Sequence, residues 1–280
     1  MGALVLEGGT FRPIFSCGVM DALLECDVHF PYVIGVSAGI TDGVSYVSKQ
    51  IGRNREVLQR FRHDKRYVGM RNFLKEKSLF GLKFAYETIP TELVPFDWEA
   101  YLANPAQVRV GVTNVRTGKA EYLDGKKMDK SCTMLKATCA IPLVFPAIEL
   151  DGEKYYDGGV CDPIPVKQAQ AEGHEKILIV LTRPKGYKKG LSKSTKFAAK
   201  RLRKKYPNLV EPLMTRYQRY NEEVEYCEKL EQEGKAIVLR PSEEAQIESF
   251  EKDMDKIERS YQYGYNLAME NMEKIKRLLN

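Results

Sequence analysis

Tyr32-Val33-Ile34-Gly35-Val36-Ser37-Ala38-Gly39 is a short β-branched run that passes at once into a helix-like stretch. Its second half is G-x-S-x-G in strand–turn–helix context, the arrangement that lifts a serine hydroxyl above a sheet as a nucleophile. The turn has to be tight, so the residues two before and two after the serine must be small. Gly35 and Gly39 meet that need. A helix opening near Ala38 would aim its free N–H groups and positive dipole end at the space beside the hydroxyl, where an oxyanion would gather. Short Gly/Ser patterns also occur in purely structural turns, so the surrounding chain has to decide.

One strand upstream, Ala3-Leu4-Val5-Leu6 is wholly apolar, as a buried parallel strand should be. It ends in Glu7-Gly8-Gly9-Thr10-Phe11-Arg12-Pro13, and Ile14, Phe15, Gly18, Val19, Ala22 and Leu23 then recur at helical spacing. Pro13 suits a first helical turn, where a missing N–H costs nothing. The glycine loop contains neither G-x-G-x-x-G nor the P-loop pattern. It is better suited to presenting backbone amides to an oxyanion, which requires close approach to the main chain.

Downstream, Gln107–Asn114 alternates like a strand and Ala120–Leu123 returns from a turn. A helix is predicted from about Asp129 to Thr138. Ile148–Leu150, the Asp151-Gly152 turn and Lys154–Tyr156 form a hairpin that empties into Asp157-Gly158-Gly159. Lys176–Thr182 is the most strand-like run. A long polar helix over about 207–234, a strand at Ala236–Pro241 and a last helix from Ser249 to Leu279 complete the pattern. Strands alternate with helices, which predicts an α/β fold with a mostly parallel sheet layered by helices on both faces. Residues 1–182 read as a catalytic core, and 183–280 as a C-terminal extension packing on the same sheet. Leu79–Tyr86, apolar and aromatic, reads either as a core-covering insertion or as part of an acyl-binding wall.

The chain has 280 residues with 43% apolar content, ample for a substantial core. No apolar run reaches the ~20 residues that cross a bilayer, and no basic segment leads into an apolar one at the N-terminus, so a cytoplasmic address is expected. The six cysteines are scattered without C-x-x-C pairing, which argues against a disulfide framework or a metal site. Neither a metal nor another cofactor is expected.

A serine nucleophile needs a base. Of His29, His63 and His174, only His174 gives the chain order Ser37…Asp157…His174 of α/β-hydrolases. It precedes the Lys176–Thr182 strand, however, and so falls at the N-terminal end of the sheet, whereas Ser37 lies at the carboxyl end, where ligands gather in parallel sheets. Without a histidine a carboxylate must serve, and Asp157 stands on a tight turn with two glycines behind it.

Four stretches together resemble the patatin-like phospholipases: Gly8-Gly9-Thr10-Phe11-Arg12, Gly35-Val36-Ser37-Ala38-Gly39, Ala137–Ala140 with Pro142, Phe145 and Pro146, and Asp157-Gly158-Gly159. The resemblance covers roughly residues 1–182, and length and C-terminal part look like the bacterial stand-alone branch. It implies a patatin-like three-layer sandwich and lipid acyl hydrolysis of phospholipase, lysophospholipase or carboxylesterase type. It further implies a Ser–Asp dyad with Ser37 as nucleophile and Asp157 as base. The oxyanion hole it implies draws on Gly8, Gly9 and Thr10 with the basic Arg12, and on the Ala38 amide. Gly35, Gly39, Gly158 and Gly159 complete the motifs. Thr10 stands where the family more often has a third glycine, and Pro13 where it often has glycine. The competing readings are a His174-dependent esterase or thioesterase, and a non-catalytic lipid-binding module.

Charge is unevenly spread. Of the net +6, the stretch from Arg183 to Arg219 carries thirteen basic residues against the single acid Glu211, while the remainder to Asn280 is acidic. Lys185–Lys205 therefore offers either a solvated helix face or an electrostatic dock for anionic membrane, with Phe197, Leu202 and Tyr206 adding apolar contact. A lipid or ester substrate is the expected partner. Nucleic acid is not, because no recognition motif accompanies the charge.

Overall fold

The computed structural model describes residues 2–279. Eight strands are present: β1 (Gly2–Leu6), β2 (Tyr32–Val36), β3 (Gln107–Asn114), β4 (Ala120–Asp124), β5 (Ile148–Leu150), β6 (Glu153–Asp157), β7 (Lys176–Val180) and β8 (Ala236–Leu239). The α-helices among the described residues are α1 (Ile14–Glu25), α2 (Ser37–Val47), α3 (Arg53–Phe61), α4 (Met70–Glu76), α5 (Trp98–Ala103), α6 (Thr133–Thr138), α7 (Val166–Ala171), α8 (Lys193–Leu202), α9 (Val210–Gln232), α10 (Met254–Glu270) and α11 (Met272–Leu279).

The sheet runs β5-β6-β3-β2-β1-β7-β8, with β4 also on β3. The five strands β3, β2, β1, β7 and β8 are mutually parallel, and β4, β5 and β6 join antiparallel at one side. Alternation along β1 shows why both faces are covered. Leu4 and Leu6 pack into a core shared with α1, α2 and α10, whereas Ala3 and Val5 face the cluster that includes Val166, Ala169, Tyr220, Val224 and Cys227 on α7 and α9. All four β1 side chains are fully buried. Each large one removed from water is worth about 1.5–3 kcal/mol, an upper value because the unfolded chain already hides some surface. The result is a three-layer α/β sandwich.

Helix α1 is buried on nearly every side. Gly18 and Gly264 are the reason: a Cβ on Gly18 would stand 2.0 Å from the Tyr261 carbonyl, and one on Gly264 2.1 Å from that of Phe15. With hydrogen alone at both positions, α10 lies directly on α1.

Boundaries differ from expectation in three places. The helix predicted from Asp129 starts at Thr133, because Cys132 turns left-handed at φ 53° and Asp129 caps from outside, accepting the Thr133 amide at 2.7 Å. The helix predicted from Ser249 starts at Met254, capped by the Asp253 carboxylate. Residues 249–251 instead stay non-helical and offer their backbone carbonyls to the Phe11 amide and to Arg62. That last helix is also two helices: Asn271 ends α10, its side-chain amide donating to the Leu267 carbonyl, and α11 follows.

Candidate active site

Ser37 follows the last residue of β2 and opens α2. Its φ is +54°, left-handed for a non-glycine residue, a conformation that a tight strand-to-helix turn imposes. The surrounding fold holds it there. The Ser37 N–H donates to Thr138 Oγ1 at 2.8 Å, and Thr138 donates in turn to the Gly111 carbonyl at 2.6 Å. Gly35 and Gly39 press on the Leu6–Glu7 backbone, and a Cβ on Gly39 would stand 2.5 Å from the Glu7 carbonyl. The glycine loop lies against the serine from the β1 side: a Cβ on Gly8 would come within 2.7 Å of Ser37 Cβ.

Asp157 ends β6. Strand β3 lies between β6 and β2, with Gly111 opposite Val36 and Val112 opposite Asp157. No side chain separates the two strand ends at this level, because Gly111 has none and Gly158 packs on the Gly111 carbonyl. Asp157 is held by its own N–H to the Ala140 carbonyl at 2.9 Å and by Thr113 Oγ1 donating to its carbonyl at 2.9 Å. Its carboxylate accepts from the Gly159 N–H at 2.8 Å. Burial pushes this carboxyl above its ordinary pKa. The nearby Ser37 hydroxyl, the charge of Arg216 and the Gly159 amide pull the other way and favour the ionised form.

Among the described residues, no hydrogen bond engages the amides of Gly8, Gly9 or Thr10. These donors and the unpaired first-turn amide of Ala38 border the space at Ser37. The Ser37 amide itself is spent on Thr138. Arg12 departs from its expected place among the oxyanion donors. Its guanidinium donates to Thr182 Oγ1 at 3.2 Å and to Ser249 Oγ, approaches Glu7 at 3.9 Å, and stands under the Gly9 α-carbon. Thr182 also donates to the Gly8 carbonyl at 3.1 Å, and the Thr182 N–H donates to Glu7 at 2.7 Å. Arg12, Thr182, Glu7 and Ser249 thus form the support of the glycine loop. Of these, only Arg12 stood out in the sequence.

Two cavities meet at the serine, sharing Thr10, Ser37 and Ile141 in their walls. One, of about 130 Å³, is largely apolar and lined by Phe11, Phe80, Tyr86, Ile89 and Phe145 among others. Part of the Leu79–Tyr86 stretch is therefore cavity wall. The other, of about 410 Å³, carries the charged side chains Glu7, Arg12, Asp157, Arg183, Lys189 and Arg216 on its wall. His174 lines neither: it is buried with its ring 4.0 Å from that of Tyr32, at the opposite end of β2 from Ser37.

In the basic segment, Leu202 is buried, not available for surface contact, and Tyr206 packs edge-on against Tyr156 at 6.0 Å. Phe197 is exposed at 61%, and α8 places it in line with Lys193, Lys200 and Arg201, all exposed. No helix among the described residues is long and apolar enough to cross a membrane.

A serine in a strand–turn–helix elbow, a buried carboxylate on the same cavity wall and a glycine loop beside both are assembled on the carboxyl end of a parallel sheet. Comparison with known families matches residues 4–169 to the patatin-like phospholipases, and the chain belongs to that family. Residues 206–280 match a second family, a domain of unknown function, DUF6363. Among curated proteins, the uncharacterized protein YjjU of Escherichia coli (strain K12) is 26% identical over 196 residues, 65% of this chain. The chain spans about half of that relative, 52% of its length. Among solved structures, VipD from Legionella pneumophila shares the fold with a TM-score of 0.50 at 14% identity, over 98% of this chain and 66% of VipD.

Proposed function

We propose that the chain hydrolyses carboxylic ester bonds of lipids with Ser37 as nucleophile and Asp157 as its base. Membership of a lipid hydrolase family supports the reaction class. The observation that carries the residue assignment is that Ser37 and Asp157, both buried, end the β2 and β6 strands on the wall of one cavity, where Ser37 favours the ionised carboxylate. Asp157 takes the hydroxyl proton as Ser37 attacks the ester carbonyl. The amides of Gly8, Gly9, Thr10 and Ala38 hold the oxyanion, each such donor being worth about 10²–10³ in rate. The proton passes to the departing alcohol, and Asp157 then activates the water that releases the acyl group. The acyl chain occupies the apolar cavity. Arg12 acts through the loop it supports, not on the oxyanion. The line of exposed cations around Phe197 docks the enzyme on anionic membrane.

An organophosphonate ester tests the assignment. It labels the wild type at Ser37, and Ser37→Ala neither labels nor hydrolyses phospholipid or simple esters. Asp157→Asn loses hydrolysis by on the order of 10⁶, as when the base of a catalytic serine is removed, while its melting transition persists. Full activity in Asp157→Asn overturns the dyad.

A further inference from the structure

The apolar cavity starts at the serine and runs along helix α2. Ser37, Ala38, Thr41, Asp42 and Val44 line it, one face of that helix through about two turns. At the helical rise per residue, Val44 lies about 10 Å beyond Ser37 along the axis. A chain leaving an ester carbonyl at Ser37 therefore has a short run before it reaches whatever closes the far end.

That end is not apolar. Asp42 of α2 and Arg53 and Asn54 of α3 stand on its wall, and hydrogen bonds lock them together. Asn54 Nδ2 donates to the Asp42 carbonyl at 3.0 Å, and Asn54 Oδ1 accepts from Ser45 Oγ at 2.8 Å. Arg53 Nη1 donates to Ser45 Oγ at 3.2 Å and Nη2 to the Val94 carbonyl at 3.0 Å, while its guanidinium lies 5.3 Å over the Phe96 ring. Among the described residues, Arg53 Nε is buried without a hydrogen-bond partner. Burial pushes the Asp42 carboxyl up to about 7, against the opposing pull of the Cys17 thiol and the Arg53 charge. A methylene pressed onto this wall takes water from a carboxyl and a guanidinium and returns no hydrogen bond. Methylenes that stop short of it gain the full benefit of leaving water.

The volume agrees with the run. At about 130 Å³ the cavity is close to an engineered apolar cavity of roughly 150 Å³ that holds a single benzene, six carbons. We propose that Asp42, Arg53 and Asn54 are the end stop of the acyl subsite, so that the substrate carries a short acyl group of about four to eight carbons. This reading rests on the hydrolase assignment above and adds to it the acyl class and the residues that set it.

The test is a series of p-nitrophenyl esters from acetate to palmitate, each below its micelle concentration. In the wild type kcat/KM rises about fourfold per methylene, the transfer worth of a CH₂, to an optimum between butanoate and octanoate. Palmitate falls below that optimum by about tenfold or more, the cost of stripping water from a polar group. Asp42→Ala puts a methyl group where the carboxyl stood and raises activity on dodecanoate relative to hexanoate by about tenfold. Arg53→Met does the same and serves if Asp42→Ala fails to fold. A wild-type optimum at dodecanoate or longer, or an optimum unmoved in both variants, overturns the proposal. Calorimetry of saturated fatty-acid anions on Ser37→Ala separates its failure from that of the hydrolase reading. Affinity climbs about fourfold per methylene as far as octanoate and then stops climbing. If no ester is hydrolysed but the fatty acids bind with this length limit, the hydrolase reading fails and the short acyl subsite stands. Hydrolysis with palmitate as the best substrate, or affinity that climbs through palmitate, removes the end stop alone. Neither hydrolysis nor binding overturns both.

Discussion

Thr138 Oγ1 accepts the Ser37 amide at 2.8 Å and donates to the Gly111 carbonyl at 2.6 Å, tying the serine turn to the strand beside it. All three groups are buried. Thr138→Val keeps the volume but leaves both backbone groups unpaired, a loss of about 1–3 kcal/mol each at most. The expected outcome is a lower urea midpoint and a lower kcat, with Thr138→Ser restoring both. A Thr138→Val enzyme with unchanged kcat would show that the left-handed Ser37 turn holds without this anchor.

Arg216 sets how easily Asp157 ionises. Its positive charge opposes the burial that raises the Asp157 pKa. Removing it in Arg216→Gln leaves burial less opposed, so the carboxyl holds its proton to higher pH. With Asp157 as the base proposed above, only its ionised form works, so the acid limb of kcat/KM should move to higher pH and activity at a fixed acidic pH should fall. Arg216→Lys keeps the charge and moves the limb less. A limb that stays in place, or moves to lower pH, contradicts this coupling.

Gly39 has no room for a methyl group, since its Cβ would sit 2.5 Å from one backbone oxygen, that of Glu7, and 2.9 Å from another, that of Leu6. Gly39→Ala forces β1 and α2 apart, with an overpacking cost of about 1–3 kcal/mol or more. Thermal melts should show that loss, and phosphonate labelling of Ser37 should slow with it because the same backbone carries the glycine loop.

These cases also show what the sequence could and could not reveal. The order of strands and helices was readable because β1, β2 and β7 are largely apolar runs, Gly35 and Gly39 flank the turn after β2, and Gly158 and Gly159 follow β6. The pairing of Ser37 with Asp157 was an expectation that the resemblance to the patatin-like phospholipases implied, since no local pattern joins residues 120 positions apart. Thr138 was not visible as an anchor, because nothing distinguishes a threonine that caps a neighbouring strand from one that simply ends a helix. Glu7, Thr182 and Ser249 come together from positions some 240 residues apart across the chain, a pairing no local pattern encodes. The basic segment was legible as charge but not as geometry. Only the fold, in which α8 packs on α9 and α9 on β8, puts Lys189 and Arg216 on the cavity wall and leaves Lys193, Lys200 and Arg201 facing solvent.

The outward half of that segment predicts how the protein meets lipid. Phe197 is exposed in the line of Lys193, Lys200 and Arg201 on α8. Transfer of a phenylalanine side chain from water is worth up to about 3 kcal/mol. Phe197→Ser should therefore weaken partitioning onto phosphatidylglycerol vesicles by about tenfold or more, and Lys200→Gln with Arg201→Gln should flatten its salt dependence. Partitioning indifferent to salt and to anionic lipid content would reject α8 as the docking face.

Asp21 gives the fold a pH dependence of its own. It is buried on α1 and accepts the Tyr261 hydroxyl of α10 at 2.8 Å and the Gly52 amide at 3.0 Å. Burial pushes its carboxyl up to about 6. The hydrogen bonds from Tyr261 and Gly52 and the charge of Arg55 work against that rise, and Glu25 adds to it. The folded protein therefore holds this proton over a range in which the unfolded chain, with a pKa near 4, has released it. Stability from this group is fully present below about pH 4 and declines as pH rises through about 6, by up to about 3 kcal/mol. Asp21→Asn can still accept from Tyr261 and has no proton to lose. The difference in urea midpoint between Asp21→Asn and wild type should consequently shift in the variant's favour from about pH 4 to about pH 7. A difference that is constant across that range would mean that Asp21 is ionised in the folded protein throughout, with Tyr261 and Arg55 together outweighing its burial.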